Sequence, residues 1–311
     1  MVRWDTDRRP AHPFTRVYVL GMRLRRDKQA FEGAEHTLRA ARARQQDGNR
    51  PPTRLTRMMA RVGERQHRGM AVWTVRPRRE RPGSRVLYVH GGGYVHPLTA
   101  DYWRLARALS RAPAEVSVPG YPLAPDADLD HVLPRLLDLY DDLVRSTPAL
   151  PVVLMGDSAG GALVLAMAMC LRERAGRPPA AVVALSPWLD ATLSEPEVEG
   201  LEATDPMLAE SGLRAAGRTW AGVRGPDDPL VSPVNGDLRA LPPIHVWIGD
   251  RDILRPAVDA LAEHADRDEA ELHVHEVTAM FHVWMTRAIP EARRTRRQLA
   301  GLVAAVSRAE A

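Results

Sequence analysis

A serine flanked by small residues is the first group in this sequence that could do chemistry. Residues 156–161 are Gly-Asp-Ser-Ala-Gly-Gly, between an apolar stretch that predicts a buried strand and a run that predicts a helix. A serine at such a strand-to-helix turn exposes its hydroxyl, and the helix N-terminus favours negative charge developing there. Ser158 is therefore a candidate nucleophile. Glycine-rich turns of this kind also bind phosphate, so the motif alone leaves that alternative open.

A second glycine-rich segment, His-Gly-Gly-Gly-Tyr at 90–94, follows another predicted strand. Glycines let backbone amides approach a ligand oxygen without a Cβ clash. We expect the amides of Gly92, Gly93 and Ala159 to donate to an oxyanion. A flexible loop without this role is the alternative, and we expect His90 to brace the loop structurally.

A serine nucleophile needs a base and a carboxylate that orients it. Five histidines follow Ser158, and only His282 lies in a loop after the last predicted strand, in an apolar setting; we expect it to be the base. Asp250 and Asp252 both follow the preceding predicted strand. We favour Asp252 as the acid that orients the imidazole. Asp250 is the alternative, and would otherwise be a turn-stabilising aspartate paired with an arginine.

The elements needed to position these groups alternate from residue 85 onward. Short apolar strands and amphipathic helices follow one another, which predicts a mostly parallel central sheet with helices on both faces. Residues 1–60 are basic and favour helices, and residues 70–75 are the clearest strand of a hairpin. Segment 190–225 is acidic and less regular.

Composition excludes several functional classes. No apolar run could span a bilayer and the start has no signal-peptide core, so we expect no membrane insertion. The one cysteine, Cys170, predicts a buried thiol in a reducing cytoplasm and excludes a cysteine zinc site. Net charge is +4, but residues 1–85 carry +14 and residues 86–311 carry −10. Lys28 is the only lysine, which indicates GC-rich codons rather than nucleic-acid binding.

Taken together, the motifs resemble the hormone-sensitive-lipase-like family of α/β-hydrolases over about residues 85–290. The shared pieces are His-Gly-Gly-Gly-Tyr at 90–94, Tyr-Pro-Leu-Ala-Pro-Asp at 121–126, Gly-Asp-Ser-Ala-Gly-Gly at 156–161, Ser-Pro-Trp-Leu-Asp at 186–190, Asp-Pro-Leu-Val-Ser-Pro at 228–233, Leu-Pro-Pro at 241–243, Asp-Ile-Leu at 252–254 and Phe-His at 281–282. The resemblance implies an α/β-hydrolase fold with a helical cap. It also implies a serine carboxylesterase for short- to medium-chain acyl esters, without cofactor or metal. Asp252 matches the family's acid, and Gly92, Gly93 and Ala159 match its oxyanion donors.

Two positions depart from the family pattern. Pro122 stands where the family has an arginine, so a salt bridge there is absent, and Ala279 replaces a glycine common before the catalytic histidine. We divide the chain into a basic helical cap segment (1–60), a first core part (61–194), a cap insertion (195–225) and a second core part (226–311). Apolar side chains near the motifs could line a substrate pocket: Tyr94, Trp188, Leu208, Phe281, Val283 and Trp284.

Other functions use the same residues. A thioesterase, amidase or dedicated deacylase of a biosynthetic pathway would need the same triad, and the basic N-terminal segment could dock an acidic carrier protein. A homodimer is left open. A non-catalytic binding protein of the same fold is the remaining alternative, although serine, acid and histidine are all present.

Overall fold

One nine-stranded sheet organises residues 1–174 and 176–309, the part of the chain that the computed structural model describes. The strands are β1 (Val2–Asp7), β2 (Arg61–His67), β3 (Met70–Arg76), β4 (Ser84–Val89), β5 (Ala114–Gly120), β6 (Val152–Asp157), β7 (Ala181–Leu185), β8 (Ile244–Gly249) and β9 (Leu272–Val277). Their order is β1-β9-β8-β7-β6-β4-β5-β3-β2. All neighbours are parallel except that β3 runs antiparallel to β2 and β5.

Helices cover both faces of this sheet. They are α1 (Pro13–Leu24), α2 (Ala34–Gln46), α3 (Arg54–Met59), α4 (Tyr102–Leu109), α5 (Leu129–Ser146), α6 (Ala159–Arg172), α7 (Glu197–Glu202), α8 (Glu210–Ala221), α9 (Pro256–Arg267) and α10 (Pro290–Ala309). Helices α5, α6 and α9 pack on one face, and α4 and α10 pack on the other. The predicted mostly parallel sheet with helices on both faces is confirmed. None of the helices in the described residues has the length and apolar character needed to cross a membrane.

The central strands are buried because both faces are covered. Every residue of β4, β6 and β7 is buried, which explains their nearly continuous apolar sequences. Parallel strands end at the same edge, so the segments after β4, β6, β8 and β9 meet there. These are the segments that contain the candidate site residues.

The helical interpretation of residues 1–60 is wrong for their first part. Val2–Asp7 forms β1, an edge strand parallel to β9, with Val2 opposite Leu272. The N-terminal ammonium of Met1 donates to the carbonyl of Ala270 at 2.6 Å. Backbone pairing rather than side-chain burial holds this strand, since its middle residues are exposed, and such a strand has no apolar pattern.

The N-terminal helices and segment 195–225 meet above the carboxyl edge of the sheet. Helix α2 packs against α8, and Gly212 of α8 lies against the segment that precedes α2. A Cβ there would lie 2.1 Å from the carbonyl oxygen of Phe31. This contact favours treating the two segments as one cap, and the division of the chain into cap and core stays a proposal.

Candidate active site

The candidate nucleophile lies at a sharp turn between β6 and α6. Ser158 has φ 52° and ψ −122°, a conformation that is strained for a residue with a side chain. The turn also requires glycines, because a Cβ on Gly160 would lie 2.0 Å from the Val89 carbonyl oxygen. A Cβ on Gly156 would lie 2.2 Å from the Gly160 oxygen. The small residues beside the serine are therefore a steric necessity.

The glycine loop after β4 lies against this turn. Gly92 and Gly93 have φ values of 107° and 62°, in the region that glycine adopts without strain. A Cβ on Gly91 would lie 2.5 Å from the Asp157 carboxylate. Gly92, Gly93 and Ser158 all line one cavity, so the structure brings the loop and the serine together.

A buried carboxyl group braces the glycine loop. Asp157 Oδ1 accepts from the Gly91 amide at 3.0 Å and from the Tyr88 hydroxyl at 2.6 Å. Burial raises the pKa of Asp157 to about 6, although these hydrogen bonds oppose the shift. His90 stacks on Tyr121 with ring centroids 4.4 Å apart, and burial lowers its pKa to about 4. His90 is thus a neutral, packed side chain, as expected for a bracing residue.

Gln45 is a bracing residue that the sequence analysis missed. From α2, its amide donates to the carbonyls of Val95 (2.7 Å) and Ala124 (2.8 Å). It thereby joins the N-terminal segment to the glycine loop and to the loop that contains Pro122. A glutamine in a basic helix gives no pattern by which this role could have been predicted.

The imidazole of His282 contacts Asp252. Its Nδ1 lies 2.9 Å from Asp252 Oδ2, and Asp252 is fully buried. The other carboxylate oxygen accepts from the Leu254 amide at 3.1 Å. Asp250 instead accepts from the Ala279 amide at 2.7 Å. Of the two candidate acids, Asp252 is the one placed at the histidine.

The surroundings of His282 favour its cationic form. Burial alone would lower its pKa, but the Asp252 carboxylate, together with Asp205 and Asp157, gives a net rise above the usual value. His282 and Ser158 line the same cavity. An imidazole that gains a proton there would be stabilised by nearby negative charge.

Asp205 is a second residue that the sequence analysis missed. Its carboxylate accepts from the amides of Met207 (2.7 Å), Leu208 (3.0 Å) and Ile253 (3.1 Å). Burial, and then the charge of Asp252, raises the pKa of Asp205. It ties segment 195–225 to the loop that contains Asp252. An aspartate followed by proline is a turn signal, but its distant partner cannot be predicted from spacing.

The cavity above Ser158 has a volume of about 430 Å³. Of the six predicted pocket residues, Leu208 and Val283 line it. The other four are absent from the lining that the described residues form: Tyr94, Trp188, Phe281 and Trp284. All four are nearly fully buried in the packed core.

Core packing accounts for the position of these aromatic rings outside the cavity lining. Tyr94 stacks on Trp220 with centroids 4.3 Å apart and on Trp188 at 5.4 Å. Phe281 stacks on Tyr18 and, like Trp284, belongs to the core cluster on the other face of the sheet. The cavity lining instead includes four residues of the N-terminal segment: Phe31, Arg44, Asp47 and Arg50. It also includes Asp101 and Arg287, which form an ion pair.

Known proteins share the fold that holds this candidate site. A model of the α/β-hydrolase fold matches residues 86–286. This chain belongs to the α/β-hydrolases. An acetyl-hydrolase of Streptomyces hygroscopicus is 33% identical over 229 residues, which are 72% of this hydrolase and 76% of that protein. Esterase LipU of Mycobacterium tuberculosis is 30% identical over 232 residues, covering 69% and 75%.

Solved structures share the whole architecture of the hydrolase. An esterase from the bacterial hormone-sensitive lipase family superposes with a TM-score of 0.82 at 24% identity. The match covers 96% of this chain and 100% of that one. The α/β-hydrolase fold that the motif resemblance implies is confirmed.

Proposed function

We propose that this hydrolase cleaves carboxylic esters with short- to medium-chain acyl groups through an acyl-enzyme on Ser158. That it is a carboxylic ester hydrolase rests on its family. The observation that supports the proposed triad is the 2.9 Å contact between His282 and buried Asp252, beside a cavity that Ser158 also lines. The relatives named acetyl-hydrolase and esterase favour an ester of a small acyl group.

In the first half-reaction, His282 Nε2 takes the proton of the Ser158 hydroxyl while its oxygen attacks the ester carbonyl carbon. Asp252 accepts the Nδ1 hydrogen bond and stabilises the imidazolium that forms. The tetrahedral intermediate collapses as the C–O bond to the alcohol breaks. His282 then gives its proton to the departing alcohol.

In the second half-reaction, His282 takes a proton from water, which attacks the acyl-enzyme carbonyl. The acid departs as the bond to Ser158 breaks and the proton returns to the serine oxygen. In both halves, the amides of Gly92, Gly93 and Ala159 donate to the oxyanion. Removal of one such donor typically costs about 3–4 kcal/mol of transition-state stabilisation.

A panel of substrates tests the proposed function. We expect kcat/KM to be highest for p-nitrophenyl acetate or butyrate and lower for the decanoate, the butyryl thioester and the butyryl anilide. Ester turnover should disappear in Ser158→Ala. A thioester or anilide turned over more than about tenfold better than the matching ester would show a deacylase of another class, because a tenfold ratio is a clear transition-state preference. Failure of the folded protein to cleave any ester would contradict the proposal.

A further inference from the structure

A second cavity, of about 460 Å³, is lined by residues of α3, α4 and α10 and of the segments that follow α4 and precede α10. Six arginines line it: Arg104, Arg107, Arg111, Arg293, Arg296 and Arg297. The other lining residues among those described are Met59 and three alanines, so no carboxylate and no aromatic ring faces it. We call this cavity the arginine groove.

Helix geometry brings these cations together. Arg104 and Arg107 are three residues apart on α4, so they share one face. Arg293, Arg296 and Arg297 are spaced by three and four residues on α10, which packs against α4. The groove therefore combines one face of each helix.

Most of this charge has no acidic partner. Arg104 pairs with Asp101 at 2.9 Å, and Arg296 donates to the carbonyls of Met285 and Arg287. The remaining four arginines have no carboxylate within ion-pair distance in the part of the chain that the structure describes: Arg107, Arg111, Arg293 and Arg297.

The cations repel one another in a partly buried setting. Burial, and then the charges of Arg104, Arg107 and Arg293, lower the pKa of Arg296 to about 10. The pKa of Arg107 is lowered for the same reasons. A purely structural arginine cluster would contain carboxylates, as at Arg68, whose pKa is raised by Asp138. Within the part of the chain that the structure describes, no carboxylate lines the arginine groove to neutralise it.

We propose that the arginine groove binds a compact anion with two or more phosphate groups. Planar guanidinium groups match phosphate oxygens in a two-pronged geometry, and several of them neutralise more than one negative charge. The concave shape limits the ligand to a small molecule. The lining of alanine and methionine offers no ring on which a nucleobase would stack, so the recognised part is the phosphate chain.

An anion in the groove would contact arginine side chains that also hydrogen-bond to the segment just after His282. Arg104 donates to the Thr286 carbonyl at 2.8 Å, and Arg296 donates to the Met285 carbonyl at 2.6 Å. These carbonyls follow His282 by only a few residues. Binding should also relieve the repulsion in the groove, so the ligand should raise the melting temperature by mass action.

Calorimetric titration with sodium pyrophosphate tests the proposal. We expect saturable binding to the wild type. The affinity of R107Q/R297Q should be lower by about tenfold or more, because two charged hydrogen-bond donors are lost. R135Q/R145Q, with the same charge change on α5 across the sheet, is the matched control. Its affinity should stay within about twofold of the wild type. Pyrophosphate should raise the melting temperature of the wild type and the control but not of R107Q/R297Q.

Several outcomes would overturn the proposal. Absence of saturable pyrophosphate binding to the wild type is one, and equal affinities in all three proteins is another. Binding of an RNA oligonucleotide or of vesicles containing phosphatidylglycerol that pyrophosphate does not displace would make this a macromolecular surface instead. If R107Q/R297Q does not fold, the exposed single change R297Q gives the same test, with weaker binding still required.

Discussion

At the scale of single residues, two aspartates in one loop have different partners. Asp252 contacts the His282 imidazole, and Asp250 receives the amide of Ala279. Both follow β8 within three residues, and the sequence favoured Asp252 while leaving Asp250 as the alternative. The family resemblance pointed to Asp252, and the contact places that carboxylate at the histidine.

Replacing each aspartate by asparagine should separate their roles. Asp252→Asn should lower kcat by about 10³- to 10⁴-fold, because the amide cannot hold the imidazole in the right tautomer. Asp250→Asn keeps a carbonyl oxygen for the Ala279 amide, and kcat should fall less than about tenfold. Steady-state rates on p-nitrophenyl butyrate, with circular dichroism as a folding control, decide the matter. Equal losses, or a larger loss in Asp250→Asn, would reverse the assignment.

The raised pKa of His282 predicts a particular pH profile. The base must be neutral to accept a proton, so kcat/KM should rise with pH, with a midpoint above the usual histidine value of about 6.5. Asp205→Asn removes a negative charge that favours the imidazolium, and the midpoint should move down by roughly half a unit. Asp250→Asn is the control and should leave it in place. A midpoint that stays or rises in Asp205→Asn would exclude the proposed electrostatic role.

At the scale of elements, the turn between β6 and α6 depends on close backbone contact. Gly160 lies against the Val89 carbonyl, so β4 and α6 approach each other without any side chain between them. The apolar runs of β4 and β6 made these strands predictable. Strand β1 could not be predicted in this way. Backbone pairing with β9 holds this exposed edge strand, so its sequence needs no apolar pattern.

Two glycine-to-alanine changes on different helices test this close contact. Gly160→Ala should lower the free energy of unfolding by about 3 kcal/mol or more, since its Cβ would lie 2.0 Å from a carbonyl oxygen. Gly301→Ala, at an exposed position of α10 where a Cβ would meet no atom within 4 Å, should raise it by about 0.5–1 kcal/mol. Urea unfolding measures both. If neither change altered the free energy of unfolding, the turn at Gly160 would be shown to relax around the added Cβ.

At the scale of the whole molecule, the uneven charge has a partial structural explanation. Arginines of the β2–β3 hairpin pair with acids of the catalytic body: Arg65 with Asp142, Arg68 with Asp138 and Arg76 with Glu115. The positive first part of the chain thus meets the negative second part where the hairpin packs. The arginine groove lies inside the acidic part, where a count along the sequence hides it.

The motifs predicted the fold. The structure places most of the predicted site residues close together, because each motif lies at the end of a buried parallel strand. The cavity lining was less predictable. Tyr94 and Trp188 neighbour the motifs in sequence, yet they face the core, whereas Phe31 and Arg44 reach the cavity from a distant segment. Which way a ring points, and which distant helix covers a site, depends on tertiary packing that has no local signal.

The central claim is that Ser158 is the nucleophile, and covalent labelling tests it most directly. A fluorophosphonate reacts only with an activated serine, and mass spectrometry of the digested protein locates the adduct. We predict a single adduct on the peptide that contains Ser158, with parallel loss of ester hydrolysis, and no adduct in Ser158→Ala. An adduct on another residue, or labelling that persists in Ser158→Ala, would contradict the account.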